Sequence, residues 1–152
     1  DRHLAALRPL AADPAMEQLT VWDRYPLAHA ARIAERMLTA EIAAAGGNYE
    51  ASVAALREAA AIEDGIPYDE PPGWHAPVRH SLGAVLLQAG RAAEAEQVYR
   101  EDLRRNPDNG WSLFGLAQSL EAQGRAAEVE TARRSFSAAW GNADIELAAS
   151  RL

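Results

Sequence analysis

The chain has no cysteine and no lysine among its 152 residues. Without cysteine there is no disulfide, no thiol nucleophile and no Cys-ligated metal. Without lysine, every cationic side chain is arginine, which we read as the nucleotide bias of a GC-rich bacterial genome rather than as chemistry. No apolar run reaches the ~20 residues that a membrane-spanning helix needs, and no signal peptide opens the chain. Positive charge is outnumbered. The formal net charge is −7, so a phosphate backbone would be repelled and free nucleic acid is not an expected partner. Gly-rich phosphate loops and HExxH are missing, and no Ser, His and Asp set has an interpretable spacing. The expectation is a non-enzyme with no cofactor and no metal. The first residue is Asp1 rather than Met, and we expect a fragment of a cytoplasmic protein.

What the chain does have is alanine. The apolar fraction of 49% is ordinary, but Ala dominates it, which calls for closely spaced helices with few large side chains between them. The length fits one domain with a sizeable core.

The sequence also repeats itself. Residues 90–96 read GRAAEAE and residues 124–130 read GRAAEVE, six matches in seven at an offset of 34. The same offset pairs Leu82 with Leu116, Gly83 with Ala117, and Leu86 with Leu120. Each unit holds two helical patterns. Leu82, Val85, Leu86 and Ala89 follow helical spacing until Gly90 stops them. Ala95, Val98, Tyr99 and Leu103 form the next stripe, which Asn106-Pro107 ends because a residue before proline avoids the helical region. In the following unit Leu113, Leu116, Ala117 and Leu120 precede Gly124. Val129, Ala132, Phe136 and Trp140 come after it.

This period and these positions resemble the tetratricopeptide repeat. Leu82-Gly83, Gly90, Ala95, Tyr99 and Pro107 carry the resemblance in one unit, and Leu116-Ala117 and Gly124 carry it in the next. Gly83, Ala117 and Ala95 are small where helices cross, and Tyr99 fills space toward the following unit. Two positions depart from the pattern: Asp102 and Val129 stand where the family prefers a small residue. A looser unit, GGNYEASVAALREAAAI, lies at 46–62. Gly47 and Gly90 are 43 residues apart, nine more than the period. The Pro-rich stretch PYDEPPGWHAPVRHSLG, from residue 67, therefore reads as an insertion between two repeats.

The fold expected is an all-α right-handed solenoid of antiparallel helix pairs in a single domain, 1–152. Its divisions are irregular N-terminal helices over 1–32, repeat 1 over 33–64, an insertion over 65–75, repeat 2 over 76–109, repeat 3 over 110–140 and a C-terminal cap over 141–152. In the first third, Asp13-Pro14 is a helix start. One helix is expected near 14–24 and another near 27–45, with residues 2–8 as the tail of an earlier one. Tyr68, Glu70-Pro71-Pro72 and Trp74 before a repeat also resemble the C-terminal region of larger bacterial tetratricopeptide proteins.

The resemblance implies a protein–protein or protein–peptide interaction module whose first helices line a concave groove. It assigns to that groove Met37, Leu38 and Glu41 from the first unit. From the second it assigns His80, Ala84, Leu87 and Gln88, and from the third Trp111, Phe114, Gln118 and Glu121. Some relatives clamp a terminal carboxylate with Lys, Arg and Asn from such positions. Here those places hold His80, Ala84 and Gln118, which argues against that mode. Tyr68, Glu70, Trp74 and His75 form an expected lid, against the plainer reading of a segment packed by its own aromatics. Two alternatives stand beside the groove. One is an assembly scaffold, stacking on itself as a homo-oligomer or on an upstream domain. The other is a small-molecule or metal-sensing pocket around Tyr68, Trp74, His75 and His80. Arg104-Arg105 and Arg133-Arg134 read as solvated helix surface.

Overall fold

The structure is a computed structural model that describes residues 2–151. Its elements are α1 (Arg2–Ala12), α2 (Ala15–Gln18), β1 (Thr20–Val21), β2 (Tyr25–Pro26), α3 (Leu27–Ala45), α4 (Tyr49–Asp64), α5 (Val78–Gln88), α6 (Ala92–Arg105), α7 (Gly110–Ala122) and α8 (Ala126–Trp140). The residues gather into two compact units that divide between Val78 and Arg79.

In the first unit α3 and α4 form an antiparallel pair, with α1 laid against α3. Ile33 and Ala40 from α3 and Val53, Leu56 and Ala59 from α4 are buried at helical spacing, which is why these two stretches pair. Asn48 caps α4 by accepting from Ala51 N–H at 3.1 Å. Asp13 acts as the sequence suggests, accepting from Ala15 N–H at 2.8 Å. The helix expected over 14–24 is short, however, and ends at Gln18. Beyond it β1 and β2 pair antiparallel, Val21 opposite Tyr25. Trp22 and Asp23 make the turn with φ of 50° and 57°. Such angles are costly for Trp, and the Thr20 hydroxyl donates to Asp23 Oδ1 at 3.0 Å across the turn. Pro26, with no N–H to give, closes the hairpin and leads into α3.

The Pro-rich stretch is anchored to that hairpin. Arg24 Nη2 donates to Tyr68 O at 2.9 Å, and its Nε lies 3.2 Å from Asp69 Oδ2. The Tyr25 hydroxyl donates to Gly73 O at 3.3 Å. A cis peptide joins Glu70 to Pro71.

In the second unit α6, α7 and α8 pack in sequence, and the 34-residue register is visible in the backbone. Gly90 and Gly124 end their helices with φ of 73° and 71°. These left-handed values favour glycine, and each releases the chain into the next helix. Leu82 and Leu116 are both buried, as are Leu86 and Leu120, and Ala95 and Val129. Glu96 ties the turns together. It accepts from Arg100 Nε at 2.8 Å, Gln123 Nε2 at 2.9 Å and Arg125 Nη1 at 2.5 Å. Partial burial would raise its carboxyl, but these donors outweigh that and hold it below the usual range.

Candidate functional site

The chemistry of the second unit concentrates around one side chain. Tyr99 leaves α6 fully buried, and its ring passes between Gly83 of α5 and Gly115 of α7. A Cβ at either glycine would lie far inside van der Waals contact with the tyrosine ring. Two glycines, one from each neighbouring helix, therefore open the slot that a full aromatic ring fills. The far end of the ring carries the hydroxyl, which is 2.6 Å from Ser150 Oγ. The Ser150 hydroxyl in turn donates to His80 O at 3.0 Å. Its single proton is used there, so the Tyr99 phenol donates the other bond. Burial pushes that phenol well above its ordinary range, with Ser150 and Arg151 opposing the shift.

Beside it lies a buried carboxylate. Asp102 is 1% exposed and accepts from the Ser112 hydroxyl at 2.5 Å and from Asn106 Nδ2 at 2.9 Å. His80 Nε2 lies 3.4 Å from Asp102 Oδ2, out of line for a good hydrogen bond. Burial alone would raise the Asp102 carboxyl. The His80 ring and the Ser112 and Asn106 donors overcome this and keep it below the ordinary carboxylate range. Ser, His and Asp thus meet in space, but their order is not that of a nucleophile and its base. Ser112 donates to the carboxylate and Ser150 to a main-chain carbonyl, so neither hydroxyl is paired with the His80 ring.

An aromatic cluster adjoins this centre. The His80 and Trp111 rings stack at 6.4 Å between centroids. Trp111 meets Trp140 edge-on at 5.5 Å, Phe114 meets Phe136 at 5.4 Å, and Phe136 stacks on Trp140 at 5.9 Å. Trp111 and Phe114 therefore rest on α8, each still half-exposed.

The other residues assigned to a groove fall into distinct settings. His80 and Ala84 are buried inside the second unit, Leu87 is half-exposed and Gln88 is exposed. On α7, Trp111, Phe114, Gln118 and Glu121 share one helix face, the first three half-exposed. Glu121 is exposed and accepts from Arg133 Nη2 at 3.0 Å. In the first unit Met37 is half-exposed and Glu41 exposed. Among the lid residues Tyr68 is 80% exposed and donates to the Glu70 carboxylate, a bond that pushes its phenol up. The Trp74 and His75 rings lie 5.0 Å apart, and Trp74 Nε1 is buried without a partner. Among the described residues no three His, Asp or Glu side chains converge as metal ligands, and no helix is long and apolar enough to cross a membrane.

Sequence reasoning missed Gly115, Ser112 and Ser150. A glycine inside α7 was a signal for close approach. Asp102, out of place in the repeat pattern, was a signal that a polar partner faced it.

Residues 86–132 match the family model described as tetratricopeptide repeat. That stretch runs from the end of α5 through α6 and α7 into α8. No curated protein and no solved structure matches the chain.

Proposed function

We propose that this chain, which carries a tetratricopeptide repeat over residues 86–132, is a non-catalytic interaction module that holds an extended segment of a protein partner against α5 and α7. Tetratricopeptide repeats generally mediate protein–protein contacts. The observation that carries the reading here is the row Trp111, Phe114 and Gln118. They lie on one face of α7, half-exposed, in a helix whose other faces are buried. Rings fixed from behind by Phe136 and Trp140 offer rigid apolar area at little entropic cost, which suits them as anchors. Leu87 and Gln88 continue the surface on α5. Polar groups at its edge, Gln118 and Glu121, would bond the main chain of the bound segment.

The test is selection of binders from a random peptide library on the immobilised chain, repeated on a Leu87→Arg, Gln118→Arg variant. Both changes fall on partly exposed positions and should leave the melting temperature nearly unchanged. Binders should be lost from the variant. Equal binding by both forms would overturn the assignment of this face.

A further inference from the structure

Residues beyond α8 do not end on that helix. Trp140 Nε1 donates to Ile145 O at 3.0 Å, which turns the chain. Leu147 and Ala149 are half-buried, and Ser150 is 1% exposed. The position of Ser150 follows from Tyr99. That ring starts on α6 and passes between Gly83 and Gly115, so its hydroxyl is the part of the side chain farthest from α6. Ser150, bonded to that hydroxyl and to His80 O in the first turn of α5, sits on the side of α5 and α7 turned away from α6. This is the side on which the first helices of successive pairs stand next to each other.

We infer that residues 141–151 are a built-in competitor, a strap that occupies the α5–α7 face until a partner segment displaces it. The inference rests on the reading of that face as the binding surface. The strap is held through Ala143, Ile145 and Ser150, with Arg151 engaged as well, and contains no helix or strand. Ahead of Ser150 little of it is covered: residues 141–146 and Ala148 are exposed, Ile145 to 49%, and Leu147 and Ala149 are only half-buried. A segment with so few buried contacts opens before the helices beneath it do. The Ser150 site also indicates what the face accepts. It takes a small residue whose hydroxyl gives one proton to a helix carbonyl and receives one from a phenol. A partner segment of the same chemistry, a serine preceded by small residues in an extended chain, would make both bonds. Because a short tether holds the internal copy at roughly millimolar effective concentration, the strap reduces the apparent affinity for any such segment to its intrinsic value multiplied by the fraction of time the strap is open.

The absence of native cysteine makes the strap directly measurable. In the full chain carrying Ser150→Cys, modification of the single thiol by an aromatic disulfide reagent is followed over rising urea. The measurement is repeated with a saturating synthetic peptide of residues 142–152, NADIELAASRL. The expected result is modification by local opening, at a rate nearly independent of urea below the unfolding transition and raised several-fold by the peptide, which holds the face while the strap is out. A rate that climbs with the full urea dependence of global unfolding, or one that the peptide leaves unchanged, would overturn the strap. Library peptides that still bind the wild-type chain in that case would leave the binding face standing. If library peptides also fail to bind a folded Ser150→Arg chain, whose strap has no room to seat, the face itself is wrong.

Discussion

His80 and Phe114 hold the same place in successive helix pairs, 34 residues apart, with opposite chemistry. His80 of α5 faces Asp102 of α6, 3.4 Å from ring nitrogen to carboxylate. Phe114 of α7 faces Phe136 of α8, with ring centroids 5.4 Å apart. Asp102 and Phe136 are themselves separated by the same period. One backbone geometry thus carries a buried polar pair in one repeat and an aromatic pair in the next. The polar version is the more demanding, since each buried atom needs a partner. Ser112 and Asn106 supply those of the carboxylate.

Removing that carboxylate should be costly. Asp102→Ala leaves the Ser112 hydroxyl and the Asn106 amide without their acceptor, and about 1–3 kcal/mol of stability should be lost. Chemical denaturation of Asp102→Ala beside Asp102→Asn checks this. The amide keeps the volume and one acceptor, so the smaller loss should belong to Asp102→Asn.

The same carboxylate predicts an acid dependence. Its pKa is lower in the folded state than its ordinary value. Its contribution to stability is therefore complete above the ordinary carboxylate pKa of about 3.9 and is lost as pH falls from there toward the folded value. Glu96 is shifted in the same direction and adds to the effect. Unfolding free energy measured from pH 6 down to pH 3 should fall less steeply in Asp102→Asn than in the wild type.

The slot around Tyr99 should tolerate no added carbon. Gly83→Ala and Gly115→Ala each place a methyl group inside the tyrosine ring, and the opposite glycine's helix blocks the ring's retreat. Overpacking should cost about 1–3 kcal/mol, of which the better helix preference of Ala returns at most about 1 kcal/mol. Thermal melts should show both variants destabilised. In a Tyr99→Leu background, where the ring is gone, the same changes should be close to neutral.

Tyr99→Phe keeps the ring and removes only the bond to Ser150. It should cost about 1 kcal/mol, and Ser150→Ala, which also breaks the bond to His80 O, should cost more. The double variant should cost less than the sum, because both changes break the same bond. Additive losses would mean that the two hydroxyls do not depend on each other.

Much of this arrangement was legible in the sequence, for identifiable reasons. The helix over 27–45 was readable because Ile33 and Ala40 sit at helical spacing after Pro26, and α3 spans Leu27–Ala45. Gly90 and Gly124 marked helix ends because only glycine takes their backbone angles at little cost. The hairpin after Gln18 was not readable. Its first turn residue, Trp22, carries no ordinary signal for positive φ and stays 60% exposed. Trp111 and Phe114 were legible as a pair on one face, but not their support. Phe136 and Trp140 reach them from α8, a contact set by helix crossing rather than by spacing along one helix. That support also changes which variants are informative. Truncating Trp111 or Phe114 would remove packing as well as binding surface, whereas Leu87 and Gln118 separate the two. The bonds of Ser150 lay beyond sequence reasoning, since they join residues 51 and 70 positions apart.

A partner segment held on α5 and α7 of the second unit would perturb the backbone there. Backbone amide shifts of the chain, recorded as a library-selected peptide is added, test it most directly. The largest changes should fall on Leu87, Trp111, Phe114 and Gln118, and on Ser150 as the strap leaves. Changes centred on the outer face of α8 around Arg134, or confined to the first unit, with these five residues still, would contradict it.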